Sequence, residues 1–245
     1  DFSEDEMILE VGLVINCKIA LRLVQAFKVK VSVELHPAIS RSIERTLHYG
    51  RRYFMVCPEY FTVKVPLTPE GYLAVRTLRQ EGVPINFTLG FSVRQNYLAA
   101  RLANPDFVNV FLGRLNQVVM DHNAGTGELV GEKVTLATQQ ALRSAPENDK
   151  HVSSRLIAAS IRNGEQVAFL AGLDVLTIPP KAMKDYQDSG KLPDQVVSHI
   201  DDSIEPGVDP QHRFAKRFSE LWQLSEEFRN FVDALVARPD LDSMQ

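Results

Sequence analysis

The feature that most constrains the fold of this chain is a regular alternation of short apolar segments with segments of helical periodicity. The apolar segments have the length and composition of strands, and residues 107–112 are almost entirely apolar, as expected of a strand covered on both faces. The six predicted strands cover residues 29–34, 60–65, 84–89, 107–112, 156–160 and 174–178. Alternation at this interval predicts a parallel sheet covered by helices in an α/β fold.

Capping residues mark the predicted helix boundaries. Ser3 and Glu6 have capping-box spacing and predict a helix from about residue 3 to residue 27. Thr68 and Ser92 predict two further helix starts. The glycine-containing segment 113–127 is predicted as a connection to a helix near residues 128–144. Apolar residues at helical spacing predict one long amphipathic helix over residues 211–237: Phe214, Phe218, Leu221, Phe228, Phe231 and Leu235.

The number of strands bears on the architecture. A chain of 245 residues with 44% hydrophobic content can bury one sizeable core, so we expect a single domain over residues 1–245. Six strands are two fewer than a (β/α)8 TIM barrel needs, so either the sheet is open or two strands precede the first one. The chain begins with Asp1 rather than Met. We therefore expect a TIM barrel whose N-terminal strands are missing from this sequence.

Composition and spacing argue against several functional classes. The 27 basic and 31 acidic residues give a net charge of −4 without a basic block, which argues against a nucleic-acid partner. The most apolar stretch, residues 8–24, is interrupted by Glu10, Lys18 and Arg22 and is too polar for a membrane span. The two cysteines and six histidines lack metal-site or disulfide spacing, and residues 125–131 match no nucleotide-binding glycine pattern. These features fit a reducing cytoplasm.

Polar residues at the ends of the predicted strands are the candidates for chemistry, because functional groups of parallel α/β folds collect at the carboxyl ends of the strands. Eight residues lie late in a strand or just beyond one: Glu34, Lys64, Asn86, Thr88, Asn109, Arg114, Ser160 and Arg162.

Lys64 is the most informative of these residues. It lies within an apolar strand, where desolvation disfavours the ammonium form and favours an amine that can attack a carbonyl carbon. Free lysine has a pKa of about 10.4, so a nucleophilic role requires burial or a nearby cation, such as Arg114 or Arg162, to lower the pKa. The alternative is a lysine that reaches solvent or pairs with Glu34. Position alone supports the two interpretations equally.

The other charged candidates also have two interpretations. Glu34 ends the preceding strand and could hold or deprotonate the water of carbinolamine chemistry, or it could form a structural ion pair. Arg114 and Arg162 follow separate late strands, where barrels often bind phosphate, and a guanidinium matches phosphate geometry. Either arginine taken singly would be an ordinary surface charge.

Five strand-end motifs together resemble the transaldolase family. Val63-Lys64-Val65-Pro66 resembles the family's Schiff-base lysine strand, and Val31-Ser32-Val33-Glu34 resembles the strand with its water-positioning glutamate. Residues 85–92, 110–114 and 158–162 resemble the family's N-x-T-L-x-F-S, F-V-G-R and A-S-F-R segments. The resemblance spans about residues 31–183 in the family's order.

The resemblance implies an enzyme that needs no cofactor or metal. It transfers a dihydroxyacetone unit from a ketose phosphate (sedoheptulose 7-phosphate or fructose 6-phosphate) to an aldose phosphate in the pentose phosphate pathway. The resemblance implies that Lys64 is the nucleophile and that Glu34 and Thr88 place the catalytic water. It implies that Asn86 and Asn109 bind the dihydroxyacetone hydroxyls and that Phe111 contacts the substrate. The implied phosphate-binding residues are Arg114, Ser160 and Arg162. The expected partners are sugar phosphates, and a homodimer or higher oligomer is left open.

Two departures from the family pattern keep other functions open. Asn109 stands where transaldolases usually have Ser, which leaves donor specificity open. The family's early Asp, a proton donor and acceptor, and its T-T-N segment are not found, and we expect both upstream of Asp1. A fructose 6-phosphate aldolase and a barrel that binds sugar phosphate without turnover are the alternatives, although the segment 85–92 favours the transferase. Open strand edges predict that this chain associates or aggregates.

Overall fold

The computed structural model of the chain describes residues 2–148 and 152–241. In these ranges six parallel strands form one sheet in the order β1 to β6, so each strand pairs with the next strand along the chain. The strands are β1 (Val31–Glu34), β2 (Phe61–Pro66), β3 (Ile85–Thr88), β4 (Phe107–Phe111), β5 (Arg155–Ala159) and β6 (Val175–Leu176). The predicted α/β fold with a parallel sheet is confirmed.

Helices follow the strands and cover the sheet. They are α1 (Glu4–Phe27), α2 (Ile43–Val56), α3 (Pro69–Gln80), α4 (Val93–Ala103), α5 (Leu112–Asp121), α6 (Val130–Asn148), α7 (Gly164–Phe169), α8 (Pro180–Asp188), α9 (Ala215–Ser219) and α10 (Glu226–Val236). The predicted starts of α1, α3 and α4 are confirmed, because the side chains of Ser3, Thr68 and Ser92 accept hydrogen bonds from backbone N–H groups of the first turn.

The sheet curls about an axis along its strands. Asn86 on β3 donates from Nδ2 to Ser32 Oγ on β1 at 3.1 Å, although β2 lies between these two strands. Side chains of alternate strands meet in this way on the concave face of a barrel wall. The six strands therefore form a curled half-barrel compatible with part of a TIM barrel, and β1 and β6 are its edge strands within the described ranges.

The two faces of the sheet differ in polarity. Residues that alternate toward the helices are apolar and at most 1% exposed: Val63, Val65, Ile85, Phe87, Val108 and Val110. Phe87 makes an edge-to-face contact with Tyr72 of α3, with ring centroids 5.2 Å apart. The main apolar core therefore lies between sheet and helices, and the polar side chains of the strands collect on the concave face.

The prediction of residues 113–127 as a connection before the next helix is wrong for its first part. Residues Leu112–Asp121 form helix α5, which buries Leu115 and Val119. Gly113 is required here for close packing, because a Cβ at this position would clash with the backbone oxygen of Ser160. The predicted helix near residues 128–144 is present as α6.

The prediction of one helix over residues 211–237 is also wrong. The segment contains two helices, α9 and α10, with a break between Ser219 and Glu226. Ser225 caps α10 by accepting a hydrogen bond from Phe228 N at 3.2 Å. The seven-residue step from Leu221 to Phe228 fits helical spacing whether or not the helix continues, so the apolar pattern concealed the break.

Helix α1 has apolar side chains on two faces. Its inner face is buried and includes Leu13 and Val24. Its outer face leaves a row of apolar side chains between 41% and 54% exposed: Ile8, Val11, Ile15, Ile19 and Leu23. Within the described ranges, no helix combines the length and apolar character needed to cross a bilayer, and this includes α1.

Candidate active site on the concave face

Lys64 and Glu34 are neighbours at the carboxyl ends of β1 and β2. The parallel register pairs the two residues directly, and Lys64 Nζ lies 3.0 Å from Glu34 Oε2. The Lys64 side chain is 24% exposed, whereas that of Glu34 is 50% exposed. The amine is therefore partly withdrawn from water beside a carboxylate that remains open to solvent. A structural ion pair has the same geometry, so the residues around the pair are what distinguish a reactive amine from a structural one.

Two buried amides lie next to this pair. Asn86 stands opposite Lys64 in the sheet register, and its Oδ1 accepts a hydrogen bond from Asn109 Nδ2 at 2.7 Å. Asn109 Nδ2 also approaches the backbone oxygen of Phe87 at 3.3 Å. The Asn109 Oδ1 atom has no hydrogen-bond partner within residues 2–148 and 152–241. One amide acceptor thus remains able to bind a hydroxyl group.

Thr88 ends β3 on the same face as Asn86. It is fully buried, and its hydroxyl has no hydrogen-bond partner in the part of the chain that the structure describes. Its register neighbour is Pro66, and its backbone oxygen accepts a hydrogen bond from Leu67 N at 2.8 Å. Buried hydroxyl groups are normally hydrogen-bonded. An unpaired one beside a candidate site is therefore suited to hold a small polar ligand or a water molecule.

The remaining candidates form a second set at the ends of β4 and β5. Arg162 passes close to Gly113, where a Cβ would lie 2.7 Å from its Nε, and Gly113 is the chain neighbour of Arg114. Both arginines are exposed, and neither guanidinium has a hydrogen bond or ion pair among the residues described. Ser160 has a φ of 65°, an uncommon backbone conformation for a serine, and Phe111 packs against Phe91. Two unpaired cations at one edge of the sheet are suited to bind an anion.

The structure thus joins four predicted residues by direct contact: Lys64 with Glu34, and Asn86 with Asn109. Thr88 lies on the strand of Asn86, at the same edge of the sheet. Between this group and the set around Arg162, no side-chain hydrogen bond or ion pair occurs within the described ranges. In particular, the observed partner of Lys64 is Glu34 and not either arginine.

Sequence reasoning missed several residues that support the candidates. Ser32 holds Asn86, and strand alternation could have identified it, because Ser32 lies on the same face of β1 as Glu34. The buried Glu132 forms a hydrogen-bonded group beside Arg162 with the half-buried Asn116 and Gln166, and no pattern in the sequence connects these three positions. Among the described residues, no three His, Cys, Asp or Glu side chains converge as metal ligands would.

Comparisons of the sequence with a family model and with known proteins point to the same family. Residues 5–237 match the family model described as transaldolase/fructose-6-phosphate aldolase. Three similar proteins are each named probable transaldolase. That of Exiguobacterium sibiricum is 37% identical over 153 residues, which are 62% of each chain. That of Thermus thermophilus is 38% identical over 137 residues, 55% of this chain and 54% of the relative. That of Parvibaculum lavamentivorans is 38% identical over 124 residues, half of each chain.

The relatives and the family model match different lengths of sequence. The aligned segments span between half and about three fifths of the length of these curated relatives. The family model, in contrast, covers nearly the whole of this sequence and includes every candidate residue. The chain belongs to the transaldolase/fructose-6-phosphate aldolase family.

Proposed function

We propose that this protein is a transaldolase that uses Lys64 to form a Schiff base with a ketose phosphate. The observation that carries this proposal is the position of the Lys64 amine, 3.0 Å from the Glu34 carboxylate on the polar concave face of a parallel sheet. An amine in such a place can attack a ketone, and a carboxylate beside it can exchange protons with the reacting groups.

The first steps are assigned to residues of this chain. Lys64 Nζ adds to the ketone carbon C2, and the carbinolamine loses water to form an iminium ion. The hydroxyl that leaves as water needs a proton, and the later hydrolysis needs a base. Glu34 supplies and accepts these protons through a water that the Thr88 hydroxyl also contacts. The buried, unpaired hydroxyl of Thr88 supports this role.

Cleavage of the C3–C4 bond follows from the iminium ion. The electron pair of that bond moves into the iminium group, which gives an enamine of dihydroxyacetone on Lys64 and releases an aldose phosphate. The free Oδ1 of Asn109 and the Asn86 amide hold the hydroxyls of the three-carbon unit. The C4 hydroxyl proton must pass to a base, and we assign that base to no residue of this sequence. The enamine then attacks an acceptor aldehyde, and hydrolysis frees the product.

The arginine pair defines the substrate class in this proposal. Arg114 and Arg162 bind the phosphate of the sugar, and Ser160 and Phe111 border it. Exposed guanidinium groups that have no ion-pair or hydrogen-bond partner among residues 2–148 and 152–241 support anion binding, because no described carboxylate neutralises their charge. We place the reaction in the pentose phosphate pathway, in the cytoplasm.

We also propose that the half-barrel is part of a (β/α)8 barrel with two further strands. The curl that brings Asn86 onto Ser32 supports this, as does the edge of β1, which pairs with no further strand in the described ranges. The exposed apolar row on α1 supports it as well, because such a row is normally packed against a neighbouring helix.

Product analysis tests the proposal. The protein and its Lys64→Arg variant, each with any residues that precede Asp1, are incubated with fructose 6-phosphate, with and without erythrose 4-phosphate as acceptor. A transaldolase gives sedoheptulose 7-phosphate only when the acceptor is present, and the variant gives none. Release of free dihydroxyacetone without acceptor would instead identify a fructose 6-phosphate aldolase, the activity that the family description also names. Binding without either product would indicate a sugar-phosphate-binding barrel.

A further inference from the structure

Glu132 is a buried carboxylate that the proposed chemistry does not use. It lies in the first turn of α6 and is 3% exposed. Its Oε1 accepts a hydrogen bond from Gln166 Nε2 at 2.7 Å, and its Oε2 accepts one from Asn116 Nδ2 at 3.0 Å. In the described part of the chain, Glu132 forms no ion pair. Burying a carboxylate that is held by two neutral amides has a free-energy cost, which the surrounding structure must offset.

Each of the two amides is connected to one of the exposed arginines, Gln166 to Arg162 by a hydrogen bond and Asn116 to Arg114 along helix α5. Gln166 Oε1 accepts a hydrogen bond from the backbone N–H of Arg162 at 2.7 Å. Asn116 lies one helical position beyond Leu115 on α5, two residues from Arg114, and its Oδ1 accepts from Gly131 N at 2.7 Å. Glu132 therefore links the helix that carries Arg114 to the loop that carries Arg162.

The carboxylate also sets the orientation of both amides. A carboxylate only accepts hydrogen bonds, so the NH2 groups of Asn116 and Gln166 must face it. Their oxygen atoms consequently face the N–H groups of Gly131 and Arg162. A cavity of about 660 Å³ borders all three side chains, so packing on that side does not prevent the amides from turning. The hydrogen bonds to Glu132, together with those from the two backbone N–H groups, fix their orientation.

We propose that Glu132 is a positioning residue that sets the relative placement of Arg114 and Arg162 and thereby the affinity for the substrate phosphate. This inference rests on the proposed function. Two guanidinium groups of like charge repel each other, so both can face one phosphate only if their backbones are held in place. Small displacements of such groups cost much of their binding contribution.

The test compares Glu132→Gln with Glu128→Gln. Both changes replace a carboxylate with an amide on the wall of the same cavity, but Glu128 is exposed and its carboxylate makes no hydrogen bond in the described ranges. Two quantities are measured in each protein. The first is the dissociation constant for inorganic phosphate by calorimetry. The second is the half-saturating concentration for borohydride-trapped adduct on Lys64, with fructose 6-phosphate and with dihydroxyacetone, which has no phosphate.

The expected result is selective. Glu132→Gln weakens phosphate binding and raises the half-saturating fructose 6-phosphate concentration by about tenfold or more, whereas the values for dihydroxyacetone and the maximal adduct rate stay unchanged. Glu128→Gln behaves as the native chain. Equal effects on both sugars, or no effect on phosphate, would overturn the inference. Failure of the native chain itself to bind phosphate or form adduct would instead contradict the proposed function.

Two further variants keep the test decisive if Glu132→Gln does not fold. Gln166→Met keeps the side-chain volume but removes the link from Glu132 to Arg162, so it should show the same selective loss. Adding Asn116→Asp to Glu132→Gln returns one carboxylate to the group, and this carboxylate can still accept a hydrogen bond from Gly131 N. The double variant should recover phosphate affinity. Native phosphate affinity in Gln166→Met, or no recovery in the double variant, would overturn the inference.

Discussion

The Lys64 Nζ atom lies 3.0 Å from Glu34 Oε2, and the parallel register of β1 and β2 places these residues directly opposite each other. The pairing needs no unusual loop or turn, because residues at the same level of adjacent parallel strands on one face are neighbours. The proposed nucleophile and its proton carrier are thus placed by the most regular part of the fold.

This contact predicts the effect of Glu34→Gln. The amide cannot accept and return a proton, so the rate of Schiff-base formation should fall by about 10²–10⁴-fold. Stability should change little, because the Glu34 side chain is half exposed. Rapid-quench borohydride trapping measures the rate, and Glu44→Gln on the exposed side of α2 is the matched control. A variant as fast as the native chain would leave Glu34 only a structural ion pair.

Substitution by alanine should lower the free energy of unfolding at Gly113 and raise it at Gly12. At Gly113 a Cβ would clash with the backbone oxygen of Ser160, so helix α5 must shift. We therefore expect Gly113→Ala to lower the free energy of unfolding by about 1–3 kcal/mol and to weaken phosphate binding. At Gly12 an added Cβ would approach no other part of the described chain within 4 Å. Helix propensity therefore predicts a gain of up to about 1 kcal/mol with unchanged phosphate binding. Denaturant unfolding and phosphate titration measure both, and similar behaviour of the two variants would contradict the assigned packing.

Glu10 predicts a dependence of stability on pH. Its carboxylate accepts hydrogen bonds from Arg52 and from the Tyr49 hydroxyl, which joins α1 to α2. The hydrogen bond from Arg52 is the main cause that lowers the pKa of Glu10 from its ordinary 4.5 to about 2. Because the pKa is lower in the folded state, this contribution is complete above about pH 4.5 and is lost as the pH falls to about 2.

The matching variant is Glu10→Gln. It should be less stable than the native chain by about 1 kcal/mol at neutral pH, a value reduced by the partial exposure of the pair. The difference should shrink as the pH falls through that window. Urea unfolding at a series of pH values measures it, and a difference that does not vary with pH would exclude this ionic contribution.

The accuracy of sequence-based prediction differed between strands and connections. Glu34, Lys64, Asn86 and Asn109 could be predicted as neighbours, because a two-residue alternation and parallel pairing determine which side chains share an edge. The contact from Asn86 to Ser32 could not be predicted, because it depends on how strongly the sheet curls. The hydrogen bonds of Glu132 depend in the same way on how α5, α6 and α7 pack, which apolar periodicity does not encode.

The two errors in helix assignment have local causes. The glycines of residues 113–127 predict a connection, yet a glycine near a helix start is also what a close backbone approach requires, as at Gly113. In the C-terminal segment, Ser225 followed by Glu226 is a cap pattern within an otherwise continuous apolar period. The cap at Ser225 predicts the observed start of α10, whereas the apolar periodicity does not.

Self-association is predicted from the surface of α1 and the edge of β1. The exposed apolar row on α1 favours contact with a second chain. The edge of β1, which has no strand partner in the part of the chain that the structure describes, favours it as well. Light scattering during size-exclusion chromatography should therefore show species larger than one chain. Combining Ile15→Lys with Ile19→Glu should reduce them, whereas Leu192→Lys on another exposed surface should not. A monomer at every concentration would contradict this prediction.

The most direct test of the central claim is reduction of the enzyme–substrate adduct. The chain is incubated with fructose 6-phosphate and sodium borohydride, digested, and analysed by mass spectrometry. We predict a reduced three-carbon or six-carbon adduct on the peptide that contains Lys64, and none in Lys64→Arg. A folded native chain that gives no adduct, or gives it on another lysine, would contradict the assignment of Lys64 as the Schiff-base nucleophile.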